Sequence, residues 1–177
     1  MRDFGYSQRG RAVNEAQAEI HAAFKEVVNR NDQSDPRTKR WLKAIEAFNA
    51  AYSRVYPQDL RLVEQGTLPA SELDTSDILD FLEADPVFFR SGYMKETLLS
   101  ALKKRSLERR EIERLQTIIL NIVQNADRRE FRRYCRTAAT IPDEHFKEEL
   151  QALQHSGDSD VRRRASWVLA AIQGAAH

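Results

Sequence analysis

Five arginines crowd one short stretch, at Arg128, Arg129, Arg132, Arg133 and Arg136. On a helix, residues 128, 132 and 136 fall on one row and 129 and 133 on the row beside it. The result is a strip of guanidinium groups roughly 12 Å long at the helical rise per residue. Guanidinium forks grip carboxylates and phosphates in bidentate fashion, so the strip suits an acidic protein partner or a phosphate backbone. The same spacing also suits an ordinary solvated face that pairs with Glu130 and with the acidic middle of the same chain. A second group, Arg162, Arg163 and Arg164, stands beside Trp167. Trp167 follows Arg163 by four positions, so the two share a flank about a third of a turn off the apolar stripe. A half-exposed Trp beside Arg is a common interface anchor; packing of that ring under the preceding helix or the C-terminal tail is the competing expectation. Partner contact is therefore assigned to Arg128, Arg129, Arg132, Arg133, Arg136, Arg163 and Trp167.

Other chemistry is harder to assemble. Lys103, Lys104, Arg105, Arg109, Arg110 and Arg114 alternate with Glu108, Glu111 and Glu113, which favours pairing along an exposed helix over a partner site. Cys135 lies among arginines that could make it a thiolate. It also falls on the apolar face of its segment, and none of His21, His145, His155 and His177 is spaced to serve it as a base. His145 with Glu148 or Glu149 supplies two metal ligands where a site needs three or four. Carboxylate pairs such as Glu148-Glu149 or Asp74 with Asp77 are unremarkable on charged helices, and nothing marks one as acid and the other as base. Six glycines in 177 residues leave little for a phosphate-cradling loop. No catalytic residue, no metal ligand set and no cofactor is expected.

These residues must be placed by helices. Gly and Pro number 6 and 5, and 41% of the residues are hydrophobic, enough for a core. Apolar residues recur every three or four positions at Val13, Ala16, Ile20, Phe24 and Val27, then at Trp41, Ile45, Phe48, Tyr52 and Val55. Asp35-Pro36 starts the second run with a capping side chain and a proline at the first turn. Residues 12–56 therefore read as an antiparallel helical hairpin after a tail over 1–11. Residues 57–74, with Pro57, Gly66 and Pro69, read as a linker holding about one helical turn near Leu60–Val63. Residues 75–173 read as a body of shorter helices, in which Ile112, Leu115, Ile118, Ile119, Ile122 and Val123 mark a central one. Thr75 or Ser76, Ser91, Ser106 and Asp127 are potential starts, and Pro142 opens a further helix. Phe88, Phe89 and Tyr93 mark the bend at 85–92 and are expected to plug the core between two helices, the alternative being an exposed sticky patch. No run alternates with period two, so the fold class is all-α.

The last pair of helices carries Asp158-Ser159-Asp160-Val161-Arg162-Arg163-Arg164-Ala165, followed by Leu169 and Ile172. An acidic turn, Val-Arg, Ala a turn later and then Leu resembles the second helix of a HEAT-type repeat, over residues 142–173. The resemblance implies an α-solenoid body that serves as a binding scaffold, some members of the family holding nucleic acid. An irregular helical bundle is the alternative, because 75–104 and 107–140 do not repeat the signature and a stack needs about three units.

Charge and composition narrow the function classes. The formal net charge is +1, so attraction of the whole molecule to DNA or membrane is not expected. The distribution is uneven: residues 57–100 hold three basic and nine acidic side chains, against fifteen and eleven over 101–177. The N-terminal residues lack the apolar run of a signal peptide, and the longest apolar run, Ile118-Ile119-Leu120, falls far short of a membrane span. One cysteine fits a reducing compartment, and a cytoplasmic location is the simple expectation. The function that follows is a non-catalytic protein-interaction module, an adaptor, regulator or subunit. Self-association through the 12–56 hairpin would cover Phe24, Trp41, Phe48 and Tyr52. The alternative is nucleic-acid binding by the arginine strip with Arg162–Arg164.

Overall fold

The computed structural model describes residues 4–125 and 128–175. Among these residues there are nine α-helices, one turn of 3-10 helix and no strand, so the chain is all-α. It divides into two compact units. One holds the described residues through Pro69 together with Ala84–Ser91, and the other holds Ala70–Glu83 with the described residues from Gly92 onward.

In the first unit, α1 (Tyr6–Glu26) and α2 (Pro36–Tyr52) pack on each other, followed by α3 (Gln58–Glu64). Asp35 accepts from the Arg37 amide at 2.8 Å at the start of α2, with Pro36 in the first turn. Arg40 ties the hairpin by pairing with Glu19 and Glu26, each at 2.9 Å. Helix α1 begins at Tyr6, so residues 6–11, expected as tail, are helical. Tyr6 and Gly10 are buried there, and a Cβ on Gly10 would lie 3.1 Å from the Phe88 ring. The aromatics of the hairpin pack in two groups. Phe48, Tyr52, Tyr56, Phe88 and Phe89 make a chain of stacked and edge-on rings, while Phe24 meets Trp41 at 5.6 Å and stays 38% exposed. Phe88 is thus a core residue as expected for the bend, whereas Phe89 keeps a large exposed face.

The second unit begins with the 3-10 turn Ala70–Glu72 and continues through α4 (Thr75–Ala84), α5 (Ser91–Leu102), α6 (Arg109–Asn125), α7 (Phe131–Ala138), α8 (Glu144–Leu153) and α9 (Ser159–Gly174). Helix α6 buries Leu115, Ile118, Ile119, Leu120, Ile122 and Val123 and packs against α7, α8 and α9. Its near-complete apolar second half is the reason it sits centrally. Gln116, also buried, donates to the Ile141 carbonyl at 2.8 Å and to Asp143 at 3.0 Å. Asp143 in turn accepts from the Phe146 amide and so caps α8. Asp158 caps α9 by accepting from Asp160 and Val161. Burial of Phe146 and Leu150 from α8 and of Val161, Ala165, Val168, Leu169 and Ile172 from α9 closes this end of the core. The Asp127 start expected for α7 lies outside the described residues; Glu130 occupies the capping position of that helix.

Candidate protein-docking groove

Helix α7 splits its surface sharply. Phe131, Tyr134, Cys135 and Ala138 point inward, and Arg132 and Arg136 are exposed. Helix α9 packs alongside it. Between the two runs a groove of about 490 Å³, lined by Arg128, Arg129, Phe131, Arg132, Cys135, Arg136, Trp167 and Ala171. The floor is built from i,i+4 pairs, Phe131 with Cys135 on one helix and Trp167 with Ala171 on the other, because residues four apart stack on one face.

Trp167 is 50% exposed. One side of its ring meets Phe131 at 6.0 Å between centroids, and the Arg163 guanidinium lies 5.4 Å from the indole centroid. Arg163 also pairs with Asp160 at 2.9 Å. The ring is thus packed on one side, against α7, and open on the other.

The five arginines do not act as one strip. Glu96 on α5 draws Arg129, at 3.2 Å, and Arg133, at 3.8 Å, to one side. Arg129 also stacks on the Tyr93 ring at 3.8 Å, which leaves Tyr93 half exposed rather than plugging the core. Arg133 is absent from the groove lining. Arg132 and Arg136 line the groove and have no hydrogen bond or ion pair with any described residue. The outer row therefore shares one carboxylate within the chain, and the inner row keeps two cations, Arg132 and Arg136, with no partner among the described residues.

The start of α7 is fixed from below. Glu130 meets Lys95 of α5 at 3.4 Å, with 4% and 1% of their side chains exposed. Gly92 lies so close to Glu130 that a Cβ there would sit 2.9 Å from its carboxylate. This buried pair, invisible in the sequence, anchors the turn from which the arginine rows emerge.

The Arg162–Arg164 run also separates. Arg164 is 5% exposed and donates from Nε to the Val123 carbonyl at 2.7 Å, with a weaker contact at 3.4 Å to Gln124. It satisfies the C-terminal carbonyls of α6 and is unavailable to a partner. Arg162 bonds the Ser156 carbonyl at 2.7 Å.

The remaining candidates resolve structurally. Cys135 is buried, and burial pushes its thiol up to about 11, far from a thiolate at neutral pH. Arg109 pairs with Glu113 at 2.8 Å, and Arg114 reaches Asp80 and Glu83, so these two members of the second basic group bond within the chain. Arg105 donates to Thr75 and to the carbonyls of Ala70 and Leu73. His145 and Glu149 are exposed and 3.9 Å apart; no group of three potential metal ligands occurs among the described residues. Among those residues no helix is long and apolar enough to cross a membrane.

That Arg132 and Arg136 share a row was legible from helical spacing, whereas Arg128 and Arg129, expected on the same helix, precede α7, which begins at Phe131. The floor residues Phe131, Cys135 and Ala171 were missed, since each belongs to an ordinary apolar stripe and only packing shows which stripes meet at an open edge. The part played by Glu96 had no local signal, because it lies 33 residues from Arg129. No family model, curated protein or solved structure matches this chain.

Proposed function

We propose that this chain is a non-catalytic protein-interaction module whose contact surface is the groove between α7 and α9. The observation that carries the reading is the half-exposed Trp167 on an apolar floor beside two unpaired guanidinium groups. Large rigid aromatics and arginines dominate the energetics of protein interfaces. The buried, neutral Cys135 thiol argues against nucleophilic chemistry in the same groove. In this reading α8 and α9 serve as a HEAT-like pair, with Asp158 and Arg162 bracing the turn that presents Trp167.

Nucleic acid is the weaker reading on magnitude. Two free guanidinium groups would release few counterions, a salt slope of only about −1.4 to −1.8, against phosphate contacts of roughly six to ten in strong binders. Arg164, which would have extended the basic surface, is spent on α6.

The test is photo-cross-linking in cells with a benzophenone amino acid in place of Trp167. Covalent adducts to protein that disappear when Arg132→Glu and Arg136→Glu are added support the reading. Adducts to nucleic acid, or no adducts, overturn it.

A further inference from the structure

Resting on the protein-docking reading, we infer that the occupant of the α7–α9 groove is an acidic protein segment, with two carboxylates about 6 Å apart flanking one apolar side chain. The charge balance around the groove demands it. Glu96 serves Arg129 and Arg133, Asp160 serves Arg163, and Glu130 is buried against Lys95. These three carboxylates are thus committed to other cations, and among the described residues none pairs with Arg132 or Arg136, which are left to an outside anion.

Spacing sets the form of that anion. Arg132 and Arg136 are one helical turn apart, so their guanidinium groups rise from positions about 6 Å apart along the axis. Two carboxylates at i and i+4 on a partner helix have the same separation, and i and i+2 on an extended segment come close to it. The floor sets the remaining part. Phe131, Cys135, Trp167 and Ala171 offer an apolar surface to a side chain such as Leu, Met or Phe. Covering that floor excludes water, which strengthens the flanking guanidinium–carboxylate attraction. The groove is walled by two helices only, so a free small molecule would leave much of its surface wet, short of the burial typical of small-ligand pockets. A protein segment extends beyond the groove and loses nothing by that openness.

The experiment uses the full chain carrying Trp41→Phe, which leaves Trp167 as the sole tryptophan. The main probe is a short alanine-based peptide with Glu at i and i+4 flanking a Leu. Comparison probes replace both Glu with Gln, or both with Lys, and an oligo-dT strand represents nucleic acid. The Glu peptide is expected to shift Trp167 emission saturably. Its affinity is expected to fall about tenfold or more with the Gln peptide, and by a similar factor in Arg132→Gln/Arg136→Gln. Both arginines are exposed and unpaired, so circular dichroism of that variant should be unchanged. Arg132→Glu/Arg136→Glu should lose the Glu peptide and gain the Lys peptide. The inference is overturned by no saturable shift with the Glu peptide, by equal binding of the Gln peptide, by indifference to the arginine variants, or by tighter binding of oligo-dT. If Trp167 cross-links to protein in cells while the Glu peptide fails, only the acidic occupant falls; if the cross-link is also absent, the docking reading falls with it.

Discussion

Lys95 and Glu130 form an ion pair at 3.4 Å with almost no solvent on either side chain. The pair joins α5 to the residue at the N-cap position of α7, and the Arg133 amide bonds the Glu130 carbonyl at 2.8 Å. Removing one partner strands a buried charge, which costs far more than the pair itself contributes. Lys95→Met is therefore expected to destabilise the second unit by about 3–5 kcal/mol. The double variant Lys95→Met/Glu130→Leu should recover most of that loss. Urea unfolding followed by Trp167 emission in the Trp41→Phe background measures both, since Trp41 belongs to the first unit and Trp167 to the second.

Arg164 is a structural cation, not a docking one. Arg164→Met removes charge-assisted bonds to the α6 carbonyls and should cost about 1.5–3 kcal/mol, measured by the same unfolding transition. Arg163→Met, whose side chain is half exposed and paired with Asp160 on the surface, should change stability by less than about 1 kcal/mol. Equal losses from the two would remove the distinction drawn between them.

Acid should act on helix caps. The backbone amide of Phe146, with Gln116, holds the Asp143 carboxyl below its usual value, and the amides of Asp160 and Val161 do the same for Asp158. A lowered folded value means that the stabilisation is fully present above the unfolded carboxyl value, about 3.9, and is lost as pH falls through the folded values. Denaturation midpoints of the second unit should hold from neutral pH to about pH 4 and then drop. Asp143→Asn/Asp158→Asn should flatten that drop, and unchanged acid sensitivity would contradict the assignment.

Cys135 should be inert while folded. With its thiol pushed up to about 11 by burial, the thiolate fraction near pH 8 is small. Labelling by a maleimide should be about a hundredfold slower than for a free cysteine of ordinary pKa, and should become rapid in urea. Fast labelling of the folded chain would place the thiol in solvent and undo the account of the groove floor.

The amphipathic periods by themselves determined that this chain is helical. Asp35-Pro36, Asp158 and the Ile118–Val123 run each act through neighbours within a turn or two, so their consequences can be read in order along the chain. Helical spacing likewise determined that Arg132 and Arg136 share a row and that Arg163 lies under Trp167. What only the tertiary structure decided is which of those charges remain free. Arg129 and Arg133 share Glu96 from a distant helix, Arg164 is drawn inward by the end of α6, and Glu130 faces Lys95 rather than the arginines beside it. Coulomb attraction and backbone hydrogen bonding depend on distance in space, and sequence periodicity reports distance only along one helix.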